Sequence, residues 1–186
     1  MTGPVSQADV EKFDRLLSKI DPGIIKAIAS VTVTDADIYG GDNYVGLCNG
    51  RREIFVRTEH FHNPITIRHE AMHAYHFSLE CYRPSGRDCD FGLEWRAAAG
   101  DVYGKEYPWD AFPTQGLLDE YSSTDYREDV ATMATDAYSY KNGEPSVLRR
   151  LQALRQLKKD PRYVRKLRLL AKYGFISRQL CNEIIR

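Results

Sequence analysis

The 186-residue sequence predicts an α+β fold: a small mixed β-sheet, one helix marked by its chemistry, and a mainly helical C-terminal part. Three patterns carry this reading. Between residues 30 and 57 apolar and polar residues alternate with period two, the signature of half-buried strands. Residues 64–80 run without a breaker in a helical pattern that holds three histidines. Beyond residue 123 the apolar residues recur three and four apart, as on helical faces.

The composition sets bounds on function. A chain of this length, 42% hydrophobic, suits one domain with or without an appendage and can bury a sizeable core. No run of 18 apolar residues exists, so no membrane span is expected. Asp9, Glu11, Lys12, Asp14 and Arg15 leave no apolar leader in the first 25 residues, although the sequence is compatible with a processed, secreted form. The four cysteines (48, 81, 89 and 181) contain no CxxC pair, which argues against a Cys-based zinc site. Cys81 and Cys89 enclose a polar loop and could be bridged if the protein is exported, the alternative being four free, half-buried thiols. The formal net charge is zero. Residues 146–186 nevertheless carry twelve Lys/Arg against Asp160 and Glu183, a net +10 balanced by −10 over 1–145. The expected organisation is a domain over 1–145 bearing the site, with 146–186 a basic helical extension packed on it. With no nucleic-acid motif and only three aromatics in that tail (Tyr163, Tyr173 and Phe175), a nucleic-acid partner is not expected.

The elements follow in order. Ser6 with Asp9 three residues on is a capping box for a helix whose face is Val10, Phe13, Leu16, Leu17 and Ile20. Asp21-Pro22-Gly23 breaks it, and Ile24–Ala29 is expected to form a short second helix. Val31 and Val33 mark a strand, and 40–43 (Gly-Gly-Asp-Asn) a turn. Tyr44–Cys48 and Glu53–Arg57 read as a hairpin across Asn49-Gly50, a favoured two-residue type I′ turn. Pro64 opens a helix running over Ile65–Glu80. Residues 81–119 read as irregular apart from a helical stretch near Leu93–Val102; a loop so long inside a compact domain is usually functional. Helices are expected at Ser123–Tyr138, Ser146–Lys159, Arg162–Tyr173 and Arg178–Ile185.

The chemistry is concentrated in His69-Glu70-Ala71-Met72-His73. This is an HExxH pattern, the signature of zinc metallopeptidases. Residues four apart lie on one helical face, about 6 Å from each other, so both imidazoles can reach a single Zn²⁺. Glu70 then borders the open coordination position, where it can take a proton from the attacking water and pass it to a leaving amine. With 5 His and 11 Glu in the chain, random placement gives roughly 0.008 such matches. His76, seven residues after His69, stands about 10.5 Å along the axis, too far for the same ion. It reads as a packing residue, and His60 and His62 as loop residues. A metzincin would place its third histidine at Leu79, which excludes that class. The third ligand is therefore a carboxylate from elsewhere, with Glu94 and Glu128 the main candidates and Asp129 and Glu120 behind them.

The segment Tyr121-Ser-Ser-Thr-Asp-Tyr-Arg-Glu128-Asp129-Val-Ala131 resembles the Y-x₆-E-[DF]-x-A segment of gluzincin peptidases of the anthrax-lethal-factor and Mlc-titration-factor type. Glu94-Trp95 is similar to an E-W element of bacterial relatives. The likeness covers roughly 60–140, and it departs at Thr132, where relatives often carry a second Glu. The resemblance implies a zincin-like fold, Glu128 as third zinc ligand, and Tyr121 facing the developing oxyanion. Asp129 is expected either to hydrogen-bond a ligating imidazole or to face solvent.

The function expected is a Zn²⁺-dependent peptidase acting on a peptide or protein substrate: His69, His73 and Glu128 as ligands, Glu70 as general base, Tyr121 assisting. The peptide would add to an edge strand, either Tyr44–Cys48 or Glu53–Arg57. The alternative is a zincin-fold binding module with a structural or vestigial zinc site, its basic tail contacting nucleic acid or an acidic partner. Oligomeric state, compartment and substrate side-chain preference carry no signature in the sequence.

Overall fold

A computed structural model describes residues 6–35, 44–79, 89–108, 110–144 and 160–186. The protein is mixed α+β, mostly helical, with one three-stranded mixed sheet. Its chain divides into two compact units, Met1–Glu80 and Cys81–Arg186. All the described strands lie in the first.

In the first unit, α1 (Gln7–Leu17) starts from the expected capping box: the Ser6 hydroxyl accepts from Asp9 N–H, and the Asp9 carboxylate accepts from Ser6 N–H. Its Phe13 stacks on Phe61 at 5.1 Å. With Leu16 and Leu17, Phe13 covers a core built on Ile54, Val56, Phe61 and Ile67. The second helix, α2 (Pro22–Ile25), is a single turn that begins earlier and ends sooner than expected. The reason is local: Asp21 accepts from Gly23 N–H and Pro22 supplies the first helical φ, so the breaker residues themselves nucleate the turn.

Strands β1 (Ser30–Thr34), β2 (Gly46–Cys48) and β3 (Glu53–Arg57) are ordered β1-β3-β2, with β1 parallel and β2 antiparallel to β3. The β2–β3 hairpin forms, but not across a two-residue type I′ turn. Arg52 N–H donates to Asn49 O at 2.8 Å, and Arg52 itself takes a left-handed φ of 66°. This is the three-residue loop that closes with an αL residue. Asn49 imposes it, because its side-chain oxygen accepts from both Arg51 and Glu53 N–H, at 2.9 and 3.1 Å. Helix α3 (Pro64–Ser78) then begins at Asn63, whose side chain accepts from Ile65 N–H.

In the second unit, α4 (Asp90–Ala99) lies three residues ahead of the expected Leu93–Val102. Cys89 sulfur caps Gly92 N–H, and Gly100 at φ 78° ends the helix. A 3₁₀ turn, Tyr121–Ser123, precedes α5 (Tyr126–Lys141). That helix starts three residues later than Ser123 because Asp125 provides the cap, accepting from Arg127 N–H at 2.8 Å. Every residue of α5 from Asp129 to Ser139 is buried. Helices α6 (Pro161–Lys172) and α7 (Arg178–Ile185) are capped by Asp160 and Ser177. Phe175, after α6, stacks on Phe91 of α4 at 5.0 Å. The expected turn at 40–43, the expected helix Ser146–Lys159, and Cys81 lie outside the described residues.

The hairpin loop carries a test. An L residue at φ 66° is strained where glycine is not. Arg52→Gly is expected to raise the unfolding free energy by up to about 1 kcal/mol in chemical denaturation. A loss of stability would show that the Arg52 side chain contributes more than its backbone costs.

Candidate metal centre

Helix α3 presents the motif. Asn63 and Pro64 fix its first turn, and Thr66, Ile67, Ala71, Met72 and Ala74 are buried, which sets its rotation. Four residues make just over one turn, so His69 and His73 stand one above the other. Their rings meet edge to face with centroids 4.7 Å apart, and the two Nε2 atoms are 3.1 Å apart. Two nitrogens bound tetrahedrally at 2.0–2.1 Å would be separated by about 3.3 Å. The pair is therefore already close to the spacing of two ligands on one ion.

Glu128 is the third member of the group. It occupies the first turn of α5, where a carboxylate is also favoured by the helix dipole. One ligand atom from each of His69, His73 and Glu128 lies within 4.8 Å of the others, and this group can hold a metal ion. Among the described residues no other group of three or more His, Cys, Asp or Glu does so. Two imidazoles and one carboxylate suit zinc chemically, as a three-ligand set with one position left open.

Glu70, next to His69, is 6% exposed. Strand β2 passes directly over it. A Cβ placed on Gly46 would lie 2.9 Å from Thr66 Cγ2 and 3.0 Å from Glu70 Oε1, so only glycine allows this approach. Two residues further along β2, the Cys48 thiol is pushed up to about 12, first by burial and then by the Glu70 charge.

The other carboxylates are engaged elsewhere. Glu94 accepts from Lys172 Nζ at 2.7 Å and from Tyr173 Oη at 2.9 Å. The Lys172 hydrogen bond holds its carboxyl below the usual range. Asp129 neither bonds an imidazole nor faces solvent: it is 0% exposed, and its Oδ2 accepts from Trp95 Nε1 (2.9 Å), Tyr103 Oη and Lys166 Nζ. Burial pushes the Asp129 carboxyl up and the Lys166 ammonium down, while the charge of each partner opposes the shift. Burial, with the Asp129 charge behind it, also raises the Tyr103 phenol. Glu120 precedes the 3₁₀ turn and is outside the donor group. Tyr121 stands in that turn, 52% exposed. His76 is buried and outside the donor group, His62 pairs with Asp9 at 2.9 Å, and His60 with Glu59 at 3.4 Å.

Gly46 and Lys166 are the residues that the sequence reading passed over. Gly46 had a signal, a glycine inside an alternating strand, which marks close backbone approach. Lys166 had none, since it sits among many cations of a basic tail.

Comparison with known proteins gave no matching family model, no matching curated protein and no matching solved structure. No described helix is long and apolar enough to cross a membrane. Cys89 is disulfide-bonded, while Cys48 and Cys181 are buried thiols outside any disulfide.

Burial, and behind it the Glu70 charge, raises the Cys48 thiol well above the ordinary range and keeps it protonated at pH 8. Native protein is expected to resist alkylation at Cys48 over hours at that pH and to label rapidly only in denaturant. Fast native labelling, located by peptide mass, would contradict the burial of β2 against Glu70.

Proposed function

We propose that this chain is a zinc-dependent metallopeptidase of the gluzincin type, with a zincin-like fold. The observation that carries the reading is the donor group itself: His69, His73 and Glu128 within 4.8 Å, and Glu70 beside the first of them. His69 and His73 would bind through Nε2, the atoms that face each other, and Glu128 through one carboxylate oxygen. Zinc in such a set supplies a Lewis acid that makes water acidic enough to ionise near neutral pH and polarises a scissile carbonyl.

The remaining chemistry belongs to the chain. Glu70 accepts the proton of the attacking water and returns it to the leaving amine, so its carboxylate is regenerated in each turnover. Its small exposure limits competing hydration and strengthens its electrostatic effect. Tyr121 is assigned to donate its phenolic hydrogen to the oxyanion as charge develops there. The substrate is a peptide, laid in extended form along β2. Of the two strands considered for this role, β3 is excluded because it is central and bonded on both sides. Among the described strands β2 lies at an edge, and it passes over Glu70. A binding module reading through the basic tail is less well supported, because Lys166 and Lys172 already pair with Asp129 and Glu94.

The decisive variant is Glu70→Gln, which keeps the shape and removes the base. It is expected to retain one zinc per chain while peptide hydrolysis falls by about 10²-fold or more. Hydrolysis at the wild-type rate in the zinc-loaded variant would overturn the assignment of Glu70.

A further inference from the structure

We infer that Lys166, acting through Asp129, is a positioning residue for the metal ligand Glu128, so that the basic C-terminal helix α6 is part of the metal-binding apparatus. The inference rests on the proposed metal site and goes beyond it by naming what holds its carboxylate in place.

Glu128 and Asp129 are consecutive in the first turn of α5, and consecutive helical residues point about 100° apart. Fixing the direction of Asp129 about the helix axis therefore fixes that of Glu128. Asp129 is held by three donors from three parts of the second unit: Trp95 Nε1 from α4 at 2.9 Å, Tyr103 Oη from the segment after α4, and Lys166 Nζ from α6. All three converge on Oδ2.

Lys166 is itself anchored. It is 0% exposed, donates to Gly116 O at 2.9 Å, and lies 5.5 Å from the centre of the Trp95 ring. Gly116, at φ 83°, has no room for a side chain: a Cβ there would lie 2.8 Å from Arg162 Cβ and 3.6 Å from Lys166 Nζ. The ammonium thus has one seat, and the carboxylate that faces it has one direction.

A buried ion pair of this kind is poor evidence for stability, since well-packed neutral residues often replace one at no loss. Directionality is what a neutral pair would lack. Groups that orient metal ligands from behind typically change metal affinity 10–100-fold when removed.

The test is the double variant Lys166→Met/Asp129→Asn. It removes one positive and one negative charge together, so the net charge near Glu128 is unchanged and no lone buried ion is created. Zn²⁺ affinity is measured by competition with a chromogenic chelator on the full chain, with circular dichroism and thermal melting of the zinc-free protein alongside. The expected result is a zinc-free melting temperature close to wild type and Zn²⁺ binding weakened 10–100-fold. Tyr103→Phe, which removes a single donor from the same oxygen, is expected to fold and to weaken Zn²⁺ binding three- to tenfold; it decides the matter if the double variant does not fold. Wild-type Zn²⁺ affinity in a folded variant would overturn the positioning role and leave the metal site standing. A wild-type chain that binds no Zn²⁺ would overturn both.

Discussion

Everything proposed for this protein depends on a single constraint, the four-residue separation of His69 and His73 on one helix. A turn of α-helix places them one above the other, and the observed 3.1 Å between their Nε2 atoms is what that geometry gives when both rings point the same way. Neither side chain has to leave its helix or strain its backbone to reach a shared ligand. The cost lies in the rotation of α3, which must bury its other faces to keep the histidines aimed. Thr66, Ile67, Arg68, Ala71, Met72, Ala74 and His76 are the buried residues that do so. Glu70 follows from the same rotation, being the residue next to His69 and pressed beneath Gly46 of β2.

The carboxylate proposed as third ligand is held differently. Glu128 is in the first turn of α5, and its neighbour Asp129 is tied down by an indole, a phenol and an ammonium. Trp95 thereby gains a role that its motif alone does not disclose. The Glu94-Trp95 pair contributes its tryptophan to the hydrogen bonds around Asp129, while Glu94 turns to Lys172 and Tyr173. The excess of positive charge in the tail has a physical outlet as well: one of its cations is buried on a body carboxylate, and another pairs with one at the surface.

Much of this was legible in the sequence where local chemistry decides the outcome. The capping box at Ser6, the helix over the motif and the order of strand, hairpin and helix all follow from short-range signals. The misplaced helix starts share one cause, side-chain caps. Asp21 moved α2 forward, Cys89 moved α4 forward, and Asp125 delayed α5. Asn49 likewise turned the expected two-residue loop into a longer one by bonding Arg51 and Glu53 N–H. His69 and His73 were readable because two imidazoles on one ion require that spacing on a helix, whereas Glu128 was singled out from Glu94 only by the resemblance of its Tyr121-to-Ala131 segment. Lys166 was not, because burial of a lysine depends on an aspartate 37 residues earlier and on the path of the chain between them.

The central claim is that His69, His73 and Glu128 form one metal site, and metal content tests it most directly. Wild-type chain and Glu128→Ala, purified without chelator and reloaded with Zn²⁺, are analysed by elemental mass spectrometry after gel filtration. The account predicts one zinc per wild-type chain and a loss of most of it in the variant, with both chains equally folded by circular dichroism. Zinc retained in full by Glu128→Ala, or absent from the reloaded wild type, would contradict it.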